Sequence, residues 1–233
     1  MINIDKKYTN IHSKDFRCGW EIECLIKSRF NESFKSEIRQ LNRNIDIGTD
    51  GSLEADKRDR MAFAYEIRTN PSYPFNSLIN LGKIFELIDS YGFVNKTCGL
   101  HLNVSPVSDE IYEKVNPFYI AKSKLWAEIK KNFNRQRNQY CKLYNFKGLK
   151  KKLTLLDIWQ KDMQHASPTN GDSHYRCCNF DNYHIPRRKD SRIELRVFGN
   201  EAYHKKFDLI INYTNQALEV IKEGYQRGKE IEI

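Results

Sequence analysis

The chain has no run approaching the roughly 18 uninterrupted apolar residues of a membrane helix, so a helical span is not expected. Its first residues, MINIDKKYTNIHSKDF, contain no apolar h-region, and a secretory leader is not expected there. None of the six cysteines (Cys18, Cys24, Cys98, Cys141, Cys177, Cys178) forms a C-x-x-C pair. The adjacency of Cys177 and Cys178 suits a disulfide framework poorly, which points to reduced thiols and a cytoplasmic setting. A P-loop and a dinucleotide glycine motif are both missing, so any nucleotide is held some other way. No Ser sits in a nucleophile elbow, and no internal repeat or Gly/Ser linker divides the chain.

What remains is a charged, globular sequence. Of 233 residues, 39% are hydrophobic and 30% charged, enough to build a core and too apolar for disorder. The formal net charge of +9 favours acidic partners: nucleotides, nucleic acid or acidic peptides. The densest basic run is FKGLKKKL, residues 146–153, beside the aromatic Tyr144 and Phe146. It reads either as a solvated loop or as part of a nucleic-acid-binding surface. The abundance of Lys, Asn and Ile points to an AT-rich source such as a bacterium or its phage.

Periodicity supplies the elements. Residues 17–27 read as a strand, and residues 28–44, with Phe30, Phe34, Ile38 and Leu41 spaced by three and four, as a helix. The segment 46–60, DIGTDGSLEADKRDR, is turn-rich and predicts a loop. MAFAYEIRT reads as the next strand, closed by Asn70 and Pro71; residues 74–91 carry a helical stripe that Gly92 can stop. GLHLNVS is a third strand, residues 117–140 predict one long helix, and SRIELRVFGN is the last strand. Residues 202–223 predict a closing helix with Phe207, Ile210, Ile211, Thr214, Leu218 and Ile221 on one side. The expected fold is a single α+β domain over 1–233, with a polar lead-in (1–16) and an irregular basic insertion (141–190).

Within the first strand, RCGWEIECLI, Glu21 and Glu23 share a face, because successive side chains alternate. Their roots lie roughly 6.6 Å apart at about 3.3 Å per residue. Two charges at that range repel by about 2.5 kcal/mol at an effective dielectric near 20. A covered face therefore needs positive charge, from Arg or Lys on neighbouring strands or from a bound cation. The other strands repeat the device: Glu66 and Arg68, His101 and Asn103, Glu194 and Arg196, each pair at i and i+2 between apolar residues.

Glu21, Glu23, Glu66, His101 and Glu194 thus make a set of four carboxylates and one imidazole, chemistry suited to Mg²⁺ or Mn²⁺ bridging to phosphate. The turn GTDGS brings Asp50 and Ser52 close to this region of the chain, and Arg68 and Arg196 suit anionic oxygens. The competing arrangement is a net of cross-strand salt bridges, Glu66 with Arg196 among them. A zinc site at His174, Cys177, Cys178 and His184 is the weaker alternative, since adjacent cysteines depart from the usual ligand spacing.

GWEIE, DGSLE…YEIRTNP, CGLHLNVS, YRCCNF and RIELRVFGN together resemble, in order, the motifs of the amidoligase family, a compact relation of glutamine synthetase and gamma-glutamylcysteine synthetase. The resemblance runs from about residue 18 to 200. It implies a curved, mostly antiparallel sheet around an ATP site with helices outside, as in the glutamine synthetase catalytic domain. It implies metal ligation by Glu21, Glu23, Glu66, His101 and Glu194, and catalytic roles for Arg196, Arg176 and Glu66. Arg176, Asn179, Arg196, Asn103 and Ser52 would line the ATP site. The implied activity is ATP-dependent ligation of a carboxylate donor to an amine acceptor through an acyl phosphate. Two departures stand out: Asn70 precedes the proline of EIRTNP, and cysteine precedes Asn179. A ligase fold kept only for binding, and a basic nucleic-acid-binding protein, are the alternatives.

Overall fold

The computed structural model describes residues 14–42, 45–108, 116–144, 176–180, 182–183 and 189–226. The basic run 146–153, His165, His174, His184, Arg187, Arg188 and most of the lead-in lie outside them, so the zinc alternative keeps only Cys177 and Cys178 on view.

The architecture is α+β, an open antiparallel sheet with helices. β1 (Phe16–Ile26) is followed by a 3₁₀ turn (Ser28–Phe30) and α1 (Asn31–Leu41). Then come β2 (Asp46–Thr49), β3 (Phe63–Arg68), α2 (Pro74–Tyr91), β4 (Gly92–Phe93) and β5 (Gly99–Pro106). The chain continues through α3 (Pro117–Ala121), α4 (Leu125–Asn132), β6 (Cys178–Asn179), β7 (Ile193–Gly199) and α5 (Phe207–Gln226). The strand order is β2-β3-β1-β5-β7-β6, with β4 pairing the end of β1.

β1 carries the alternation through to packing. Phe16, Cys18, Trp20, Ile22, Cys24 and Ile26 are all buried, and they join one apolar cluster with Tyr65 and Ile67 of β3, Leu100 and Leu102 of β5 and Leu195 of β7. Helical spacing adds Phe34 and Ile38 from α1, Leu78, Leu81, Ile84, Phe85 and Ile88 from α2, and Ile210, Ile211, Leu218 and Ile221 from α5. α2 begins with Pro74 in its first turn, where the missing N–H costs nothing, and ends as the Gly92 N–H bonds the Ile88 carbonyl.

Three sequence expectations are corrected. The segment 46–60 is not wholly loop: Asp46–Thr49 pairs antiparallel with β3, too short and too polar to show an alternating pattern. The long helix over 117–140 is two short ones. The Trp126 indole N–H occupies the Ile120 carbonyl at 2.6 Å, and the Leu125 N–H turns to the Ser123 hydroxyl, so the first helix stops and a second starts. α4 then ends before Asn134, which takes a left-handed conformation at φ 53°. Glu66 and Arg196 do not pair, because β1 and β5 lie between their strands.

β3 ends at Arg68, just before Asn70 and Pro71, and the chain beyond it stays beside β1. Thr69 and Trp20 bond in both senses, the Trp20 N–H donating to the Thr69 hydroxyl at 2.8 Å and the Thr69 N–H to the Trp20 carbonyl. Cys18 and Ser72 then exchange two backbone bonds. Gly19 permits this approach, since a Cβ there would lie 3.0 Å from the Thr69 carbonyl.

Candidate metal centre

The register stacks the polar residues in rows across the sheet. Glu21 lies between Arg68 on β3 and His101 on β5; Glu23 lies opposite Glu66; Asn103 lies between Gly19 and Glu194. Asn179 on β6 faces Glu194. Strict alternation in β7 would put Phe198 on the face of Glu194 and Arg196. Instead Leu100 pairs Phe198 while Leu102 pairs Leu195, so β7 carries one extra residue opposite His101. That bulge keeps Glu194 and Arg196 with the polar rows while both Leu195 and Phe198 join the core.

Three of the predicted ligands converge. Glu21, His101 and Glu194 each present one ligand atom, and these atoms lie within 4.8 Å of one another. His101 Nδ1 is 3.3 Å from Glu21 Oε2 and 3.2 Å from Glu194 Oε1. One ring nitrogen between two carboxylates cannot donate fully to both, whereas a cation at the meeting point would take an oxygen from each and the nitrogen. The donor set, two carboxylates and an imidazole, fits Mg²⁺ or Mn²⁺. Glu23 stands one row away, 3.7 Å from His101 Nε2, and accepts the Gly99 N–H at 2.5 Å. Gly99 is glycine for space: a Cβ would lie 2.7 Å from His101 Nε2 and 3.1 Å from Glu23 Oε2.

The surrounding groups orient the ligands. Asn103 Nδ2 donates to Glu21 Oε1 at 3.0 Å, and Asn179 Nδ2 donates to Glu194 Oε2 at 2.8 Å. Arg196 Nη1 donates to Glu194 Oε1 at 2.5 Å, and its Nε reaches the Tyr140 carbonyl at 3.4 Å. Glu66 pairs with Arg68, which also stands 3.6 Å from Asp46. Arg176 is buried but turns to the Leu143 carbonyl, with its guanidinium over the Tyr144 ring. Ser52 bonds Asp50 within its own turn, at 2.6 Å through the hydroxyl.

Sequence reasoning passed over Arg192. Its Nε donates to Asn103 Oδ1 at 2.9 Å and its Nη2 lies 3.8 Å from Glu21 Oε1. The signal was present, since Arg192 shares the parity of Glu194 and Arg196 in SRIELR. The face therefore carries three arginines, not two, against four glutamates, and part of the cross-strand salt-bridge net exists.

Titration reflects the crowding. Burial acts to raise the Glu21 carboxyl, but the hydrogen bond and charge of His101, the Asn103 amide and the Arg192 guanidinium outweigh it and bring it down to about 2. For Glu66, burial and then the Glu21 charge win over Arg68, and the carboxyl is raised above its ordinary value. The nearby thiols are inert by comparison: burial pushes Cys18 and Cys98 up to about 12. All six cysteines are free and buried, and among the described residues no helix is long and apolar enough to cross a membrane.

No family model and no curated protein matches this chain. Among solved structures it resembles a bifunctional glutathione synthetase from Pasteurella multocida, with a TM-score of 0.39 and 11% sequence identity. The likeness covers 98% of this chain and 42% of that one, so the chain spans less than half the length of that protein. A likeness of this degree carries no argument about activity.

Proposed function

We propose that this chain is an ATP-dependent carboxylate–amine ligase of the amidoligase type, acting with Mg²⁺ or Mn²⁺. The observation that carries the proposal is the convergence of Glu21, His101 and Glu194 on one point of a sheet face that also presents Arg192 and Arg196. The five sequence motifs support it by supplying these residues in order.

Glu21, His101 and Glu194 would hold the cation, with Glu23 and Glu66 in the adjoining row. A bound divalent cation would neutralise phosphate charge. The chain's own part is positional. Asn103 and Asn179 fix the two ligating carboxylates, and Arg192 and Arg196 offer guanidinium groups to anionic oxygens. A carboxylate oxygen of the donor would attack the γ-phosphorus of ATP, releasing ADP and leaving an acyl phosphate. The amine nitrogen would then attack the acyl carbon; inorganic phosphate leaves and the nitrogen loses a proton. Such chemistry asks mainly for positioning and charge neutralisation.

Calorimetry with a non-hydrolysable ATP analogue tests this. Wild-type protein should bind it only with Mg²⁺, and Glu194→Gln should lose that binding while keeping its melting temperature within a few degrees. Binding that ignores both metal and substitution would overturn the assignment. No nucleotide binding together with tight, salt-sensitive binding of DNA or RNA would favour the nucleic-acid alternative.

A further inference from the structure

A second site lies outside the polar rows. A cavity of about 370 Å³ opens beside α4 and the 3₁₀ turn Gln139–Cys141, lined among others by Ala127, Lys130, Gln136, Arg137, Gln139 and Lys142. Its size falls within the range of small-ligand pockets. Three of the lining side chains are cations, and no carboxylate lines it among the described residues.

Lys130 is the informative member. It is only 4% exposed, and its ammonium group donates to a neutral acceptor, the Cys141 carbonyl. Among the described residues it has no carboxylate partner, and neither has Arg137 or Lys142. A buried ammonium that has no carboxylate partner, only the buried Cys177 thiol nearby, is costly, and the usual remedy is an anion brought alongside.

The wall of the cavity is built, not loose. Asn138 Oδ1 accepts the Tyr140 N–H at 2.8 Å, the Asn138 N–H bonds the Arg135 carbonyl at 3.0 Å, and the Lys142 carbonyl accepts the Cys177 N–H at 2.9 Å. A preformed wall spares a ligand the cost of ordering it.

We propose that this cavity binds a small polyanion, a molecule carrying two or more carboxylate or phosphate groups, held by Lys130, Arg137 and Lys142. None of its lining residues belongs to the Glu21, His101 and Glu194 cluster, so it is a separate site. The two share one element: the Tyr140 carbonyl, in the same turn, accepts from Arg196.

The test is titration calorimetry in metal-free buffer at low salt, with citrate and inorganic pyrophosphate as separate probes. At least one should bind, with affinity falling as salt rises. Binding should weaken at least tenfold in Arg137→Gln/Lys142→Gln, whose two side chains are exposed and leave the fold intact. Lys35→Gln/Lys205→Gln, which removes the same charge elsewhere, should bind within twofold of wild type. Pyrophosphate without citrate would mark a phosphate-bearing ligand, and citrate without pyrophosphate a polycarboxylate. The proposal is overturned if neither probe binds at millimolar concentration, or if both double variants weaken binding equally. Loss of Mg²⁺-dependent ATP-analogue binding in Glu194→Gln is read independently of either result.

Discussion

Glu66→Gln separates a face short of positive charge from a balanced salt-bridge net. Glu66 and Glu23 are direct partners on adjacent strands, which places their Cβ atoms about 5 Å apart. Two full charges at that distance repel by about 3 kcal/mol at an effective dielectric near 20. Arg68 returns part of this, but it is about half exposed, and pairs of that kind contribute up to about 1 kcal/mol. Water reaching the partly buried Glu66 screens much of the rest. The balance favours a neutral side chain by about 1 kcal/mol, a rise of about 3 °C in melting temperature for a chain of this size.

The pH dependence fixes the sign. Glu66 has a raised carboxyl in the folded state, so the native protein holds its proton longer than the unfolded chain does. The stability this contributes is complete below the unfolded value of about 4.3, and it is lost as pH rises through the folded value. Glutamine cannot lose a proton, so its advantage should appear near pH 8 and shrink toward acid. Thermal melts in EDTA at pH 8 and pH 5, wild type against Glu66→Gln, measure it. A variant less stable than wild type at pH 8 would show that Glu66 is chiefly an ion-pair partner of Arg68, and the argument from excess negative charge on this face would fail.

Two more outcomes follow from the fold. His204 is buried with its Nδ1 unpartnered, and burial lowers its pKa despite the Asp89 carboxylate 3.3 Å away. A depressed histidine contributes stability that is present above the unfolded value near 6.5 and lost as pH falls below it; urea midpoints at pH 7.5 and 5.5 should differ less in His204→Gln than in wild type. Gly199 holds φ at 119°, and a Cβ there would run into the Arg135 guanidinium and lie 2.8 Å from the Cys98 carbonyl. Gly199→Ala should therefore cost about 3 kcal/mol with an unchanged m-value, and a neutral substitution would contradict the backbone described at this corner.

The sequence was most legible where local chemistry and packing agree. Pro74 and Gly92 mark α2, and Glu21, Ile22, Glu23 and Cys24 fix the two faces of β1, because the period-2 pattern survives folding. It was least legible where a contact distant in sequence decides. Nothing local says that Trp126 takes the Ile120 carbonyl and splits a helix. Nothing in DIGT announces an edge strand, since its partner β3 supplies most of the pattern. Within the candidate site, parity brought Glu21, His101 and Glu194 onto one face, but which three carboxylate and imidazole groups would meet depended on strand order. Arg192 was overlooked because Glu194 and Arg196 already complete the one polar pair that each of the other strands shows.

The bulge in β7 bears on the proposal that this face holds a cation and not only arginines. One extra residue opposite His101 lets Glu194 and Arg196 lie side by side on the polar face while Phe198 is returned to the core against Trp20 and Phe133. In a regular strand Phe198 would occupy polar space next to the imidazole, and the convergence on His101 Nδ1 would be crowded out. The bulge thus gives up regular ladder pairing at the point where His101 meets two carboxylates. A salt-bridge net alone gains little from such an arrangement, because Glu194 is already satisfied by Asn179 and Arg196. What the arrangement adds is the convergence of Glu21, His101 and Glu194, and a divalent cation is the charge that would use all three atoms together.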